Sequence, residues 1–229
     1  MEDQSAPTPS THDLDRLALD QLIVDMVRVS DDDLAKPTPC AGWTVRDLIV
    51  HMNNENAAIC GAPLNDATDP RTAFTVIAGE WLTFAAAAGD TITVPKMGTE
   101  LPTDMVLATH FADMLVHRWD LATALCKSTG TPESLLAAAH QIADVVTAPG
   151  SPLVGVAYQP ALPQVADDSA EQSLVRKFGR DPKWPTSWAE QQEDGRASAQ
   201  TPRSVLLGSG LHVKTPPPTP PARGASSRR

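Results

Sequence analysis

The stretch HFADMLVHRWD, residues 110–120, decides how this chain is read. It has the look of mid-helix sequence, yet it sets two histidines and an aspartate among phenylalanine, methionine, leucine and valine. An α-helix turns about 100° per residue. With His110 at the origin, His117 falls about 20° to one side and Asp113 about 60° to that same side. Val106, Leu107, Met114, Leu121 and Ala124 share this stripe. The polar trio therefore belongs to the apolar face. A carboxylate there needs a partner, because an isolated buried charge is very costly. Two imidazoles beside it make a metal cation one natural partner. An ordinary Asp–His hydrogen bond at i, i+4 is the other.

A metal site needs a further ligand from elsewhere. The best candidate is His51, on a helix that opens at Thr44 with the capping-box pattern TVRD, in which Asp47 stands three residues after the cap. Val45, Leu48, Met52 and Ile59 mark that helix's apolar face. His51 lies on its flank, with Glu55 and Ala58 as neighbours. His12 and His140 have weaker claims.

Around these two segments much of the chain reads as helical. Helices are expected over about 12–29, 44–60, 71–88, 102–127 and 132–148, with Leu14, Leu17, Ala18 and Val24 spaced at helical period in the first. TITVPKMGTELP (91–102) reads as a short strand or an extended linker. SLVRKFGRDPKW (173–184) reads as a short helix ending at Gly179. Four substantial amphipathic helices and few strand signals predict an all-α bundle. The expected organisation is a disordered N-terminus (1–11), a metal-binding helical bundle (12–148), a C-terminal extension packed on it (149–189), and a Pro-rich, basic, disordered tail (190–229).

Composition narrows the function. The 229 residues carry a net charge of −10, which argues against nucleic acid as a partner. No apolar run approaches the roughly 20 residues of a membrane span, and no signal peptide is read in the first thirty residues. Cys40, Cys60 and Cys126 are odd in number and widely spaced. They suggest no disulfide framework and point to a reducing, cytoplasmic compartment. Cys40 reads as structural.

TPCAGWTVRDLIVHM (38–52) resembles one signature of the mycothiol-dependent maleylpyruvate isomerase-like proteins of actinobacteria, in the DinB superfamily. DMLVHRWDLATAL (113–125) resembles a second, and LVRKFGRDPKW (174–184) the Gly-Arg-Asp-Pro ending of one branch. The resemblance spans roughly 12–185. It implies a DinB-type four-helix bundle with a divalent metal, usually zinc, although nickel or manganese would also suit the site. The family's ligands match His51, Asp113 and His117. Maleylpyruvate isomerase has glutamate where this chain has the shorter Asp113, and a second C-terminal domain for which 149–185 is too short.

Such a site would leave an open coordination position. A small thiol such as mycothiol would enter it, lose its proton and attack a small electrophile. The expected function is therefore a metal-dependent thiol S-transferase or isomerase, with His110 as a nearby catalytic proton carrier and a homodimer as a further possibility. The alternatives are a zinc-dependent hydrolase on the same bundle and a non-catalytic metal or small-molecule binding protein. Asp120 would anchor its helix or orient a ligand imidazole. Arg180 would line the site mouth or form an ion pair between helices.

Overall fold

A computed structural model describes residues 9–65, 68–151, 153–155 and 158–185. It is mostly helical. Helix α1 spans Thr11–Met26, α2 Val45–Cys60, α3 Pro70–Ala87, α4 Thr103–Ala124, α5 Glu133–Val146 and α6 Ala170–Lys177. A two-stranded antiparallel hairpin, β1 Thr91–Val94 and β2 Thr99–Pro102, joins α3 to α4. The stretch left open between strand and linker is thus both strands of one hairpin. The disordered tail expected over 190–229 lies outside the described residues, as does most of the N-terminal 1–11. Within the latter, Ser10 is the cap of α1.

Local signals fix the helix starts. Ser10 and Asp13 form a capping box on α1, and Thr44 with Asp47 forms the expected one on α2. Asp69 accepts from the backbone N–H groups of Arg71 and Thr72, and Pro70 takes the first position of α3, where its missing N–H costs nothing. Gly61 ends α2 at φ +74°, a left-handed conformation that glycine adopts freely.

Helix α1 packs on α4 and α3, and α2 packs on α3 and α4. Leu19, Leu22, Leu48, Ile49, Met52, Phe74, Trp81, Leu107 and Phe111 fill the space between them. Helix α5 packs against α4, and α6, from the extension, packs against α5. Helix α4 is consequently buried almost all round, not on one stripe. Even Arg118 and Trp119, which the period places away from the polar trio, are enclosed. Arg118 is held by Asp25 at 2.6 Å, by the Thr129 carbonyl at 2.6 Å and by Gln21. Val24 departs from expectation: it is exposed, and Leu22 and Met26 carry the core face of α1 there. Among the described residues no helix is long and apolar enough to cross a membrane.

Candidate metal centre

The two helices singled out by sequence bring their polar side chains together. Asp113 and His117 are 3% and 2% exposed. They stack one turn apart on α4, with Asp113 Oδ2 3.5 Å from His117 Nε2. From α2, the His51 ring meets the His117 ring edge-on, with centroids 5.3 Å apart. Trp43, in the turn before α2, lies against the other side of His51 at 4.7 Å.

The two imidazoles are oriented alike. His117 Nδ1 lies 3.2 Å from Asp120 Oδ2. Burial alone would raise Asp120, but the Arg180 guanidinium and the His117 N–H outweigh it and hold the carboxyl at about 2. Asp120 is thus ionised and can only accept, so the His117 proton sits on Nδ1 and Nε2 carries the lone pair. His51 Nδ1 faces Glu55 Oε1 across 3.8 Å, one helical turn along and beyond hydrogen-bond reach. Burial, aided by His117 and Lys96, lowers His51 to about 2, so its ring is neutral. In both rings Nε2 is buried and has no hydrogen-bond partner. His117 thereby shows the pattern of metal-ligating histidines, with one nitrogen given to a carboxylate and the other left bare.

Asp113 and His117 also fit a cation by distance. Two ligand atoms bonded to one tetrahedral zinc at about 2.0–2.1 Å stand roughly 3.3–3.5 Å apart. His51 lies farther off: the ligand atoms of His51, Asp113 and His117 do not all fall within 4.8 Å of one another. Among the described residues, the group whose ligand atoms all fall within 4.8 Å of one another is Cys40, His117 and Asp120. That tighter group can hold a cation only by giving up existing bonds. Asp120 accepts from Arg180 Nη2 at 3.0 Å and Nε at 3.1 Å, and from the Cys40 thiol at 3.3 Å. Burial, then the Asp120 charge, push the Cys40 thiol far up, away from the thiolate a metal requires. The unpartnered atom of His117 is Nε2, on the Asp113 side of the ring.

Glu55 borders the same space. It is buried, its Oε2 has no partner, and burial pushes it up to about 9, with Asp113 adding to the effect and Lys96 opposing it. Lys96, in the turn of the hairpin, acts on both Glu55 and His51 from outside the helices, and Arg180 acts on His51 as well. Sequence reasoning placed Glu55 beside His51 but gave it no role. Its i, i+4 offset from His51 was the available signal.

His110 is placed elsewhere. Its Nδ1 is 2.5 Å from Asp15 Oδ1 and its Nε2 2.9 Å from Asn56 Oδ1. Its ring stacks on Trp81 at 3.9 Å, and Trp81 Nε1 donates to the other oxygen of Asp15 at 2.7 Å. This network ties α1, α2, α3 and α4 together. Both nitrogens of His110 are engaged, and His117 is seven residues away, about 10.5 Å along the axis. His12 reaches the Ala85 carbonyl and His140 the Ala170 carbonyl, so both face protein backbone.

The mycothiol maleylpyruvate isomerase N-terminal domain family matches residues 16–90. Two proteins of Mycobacterium tuberculosis are similar over a longer span: uncharacterized protein MT0763 of strain CDC 1551 / Oshkosh and uncharacterized protein Rv0738 of strain ATCC 25618 / H37Rv. Each is 30% identical over 149 residues, 59% of this chain and 81% of the relative. The chain belongs to the mycothiol maleylpyruvate isomerase N-terminal domain family. No solved structure matches it. The family match contains the Trp43 turn, His51 and Glu55, and ends before α4, so the case for Asp113 and His117 rests on their geometry.

Proposed function

We propose that α1–α4 form a DinB-type four-helix bundle that holds a divalent cation on His51, Asp113 and His117. On this reading the protein is a cytoplasmic thiol S-transferase or isomerase of mycothiol type, acting on a small electrophile. The observation that carries the reading is the pair of buried Nε2 atoms without a hydrogen-bond partner, that of His51 on a ring beside Glu55 and that of His117 3.5 Å from Asp113. Zinc fits two imidazoles and a carboxylate best, with nickel and manganese as the other candidates. When bound, such a cation holds an incoming thiol as the thiolate.

The protein's own part is positional. Asp120, itself fixed by Arg180, keeps the His117 proton on Nδ1. Trp43 holds the His51 ring from behind. Burial of Asp113 and His117 limits the water that would compete for the electrophile.

The test starts with metal analysis of the full chain purified without chelator. The expected result is about one equivalent of zinc, nickel or manganese, falling to background in Asp113→Ala and His51→Ala. A purified protein free of metal, and unable to take it up on titration, would end this reading. Given bound metal, acceleration of the reaction between a small thiol and a model electrophile, lost in Asp113→Ala, supports transfer. No acceleration with any thiol removes the transferase assignment.

A further inference from the structure

Asn56 is fully buried on α2, five residues past His51, and the metal reading gives it no part. Its Oδ1 stands 2.9 Å from His110 Nε2 on α4. Among the described residues this is the one hydrogen bond that joins α2 to α4. A second rung between the same helices is the edge-on meeting of the His51 and His117 rings, with centroids 5.3 Å apart. Passing from the second rung to the first runs forward along α2, from His51 to Asn56, and backward along α4, from His117 to His110. The two helices are therefore antiparallel here. One rung lies at the candidate metal group, and the other lies about 7.5 Å away along α2 and about 10.5 Å away along α4.

His110 is a fixed point. Its Nδ1 is 2.5 Å from Asp15 Oδ1 of α1, and its ring is covered by Trp81 of α3 at 3.9 Å. Trp81 in turn donates to the same carboxylate at 2.7 Å. Helices α1, α3 and α4 thus agree on where the imidazole sits, and Asn56 ties the fourth helix to it. Helix α2 packs far more closely on α3 than on α4, so this bond is the specific tie across the seam between the two candidate ligand-bearing helices. Helix α2 is also stiff over the interval that matters. Val45–Cys60 contains no glycine or proline, and a capping box holds its start. A displacement at Asn56 is carried to His51, about 1.4 turns away.

We propose that Asn56 is a positioning residue for the metal group: held by His110 at 2.9 Å, it sets the height and separation of His51 against His117. His110 serves the site through α2 and not as a proton carrier. Small displacements count, because a metal or catalytic constellation must be held to within about 0.5 Å of its working geometry. The proposal rests on the metal reading above, and its test separates the two.

The experiment titrates wild type, Asn56→Leu and Asp15→Ala, each as the full chain, with cobalt(II), whose visible absorption reports both affinity and ligand geometry. Asn56→Leu keeps the side chain's approximate size and removes the bond to His110. Asp15→Ala weakens the same network but leaves that bond in place, so it controls for lost stability. The expected result is that Asn56→Leu binds cobalt roughly tenfold more weakly than wild type with a shifted visible band, and that Asp15→Ala matches wild type in both. Wild-type affinity and band in Asn56→Leu overturn the proposal and leave the metal reading standing. Equal weakening in both variants also overturns it, because the loss then follows stability. A wild type that binds no cobalt ends the metal reading, and positioning is then judged in the metal-free proteins by proton NMR. Cross-peaks between the His51 and His117 rings that are present in wild type and Asp15→Ala but lost in Asn56→Leu support the proposal. Cross-peaks kept in Asn56→Leu, or absent from all three proteins, end it. Should Asn56→Leu not fold, Asn56→Ala is measured and read in the same way.

Discussion

His117 Nε2 and Asp113 Oδ2 face each other across 3.5 Å as one acceptor toward another. With the His117 proton committed to Asp120, no hydrogen lies between them to make the contact attractive. On the metal reading, a cation in the gap would relieve this contact. Asp113→Asn turns one acceptor into an amide donor of the same shape. The expected outcome is a metal-free protein more stable by roughly 1 kcal/mol in urea denaturation together with loss of bound metal. A metal-free variant less stable than wild type would contradict this account.

Arg180 and Asp120 form a buried ion pair at 3.0 Å. Removing the cation strands the carboxylate, and such changes cost about 3–5 kcal/mol. Arg180→Met should lower the denaturation midpoint accordingly. Asp120→Asn keeps the volume but weakens the hold on the His117 proton. It should reduce metal affinity about 10–100-fold, read by competition with a chelator.

The network around Asp15 governs stability on the far side of α4. Asp15→Ala leaves the ring nitrogen of His110 and Nε1 of Trp81 without an acceptor. Each buried orphan costs about 1–3 kcal/mol, so the variant should lose at least about 2 kcal/mol while its metal content holds. Loss of metal at unchanged stability would instead tie His110 to the site.

At the start of α3 the effect depends on pH. The bond from the Arg71 side chain holds the Asp69 carboxyl at about 2, below its ordinary 3.8. A carboxyl lowered by folding stabilises the fold fully above the ordinary value and loses that contribution as pH falls toward the lowered one. The Tm gap between wild type and Asp69→Ala should therefore be widest near neutrality and narrow from about pH 4 to about pH 2. A gap independent of pH would show that the charge plays no part.

Gly179 carries φ +76°, and a Cβ added there would sit 2.5 Å from Gln159 Cβ. Two constraints coincide: a left-handed backbone and a backbone neighbour that cannot withdraw. Gly179→Ala should destabilise the chain by about 2 kcal/mol or more. Because Arg180 is the next residue, metal affinity should fall with it.

Much of this was legible in the sequence. The capping pattern at Thr44 and Asp47 fixed where α2 begins, and so on which turn His51 falls. The spacing of Asp113 and His117 put both on one face, and that face is buried. What periodicity could not tell was that the opposite face of α4 is buried too. The covering elements, α5 and the extension, lie later in the chain and leave no mark on the α4 pattern except its scarcity of charge. His110 shows the same limit. It shares a stripe with His117, but its partner Asp15 stands 95 residues earlier on α1, and only packing reveals it. Asn56 and Glu55 escaped for a related reason: a polar residue on a helix is uninformative until its neighbours are known.

The bond between Arg180 and Cys40 joins positions 140 apart in sequence. Contacts so distant are slow to form, because a long loop must close before anything rewards the closure. The helix pairs can associate earlier through nearer contacts, so the pocket should be among the last parts to assemble during refolding. Acquisition of cobalt colour in a stopped-flow trace should accordingly lag the return of helical ellipticity. A ribosome releasing this chain would deliver helices first and a competent pocket only after the turn at Gly179 has emerged.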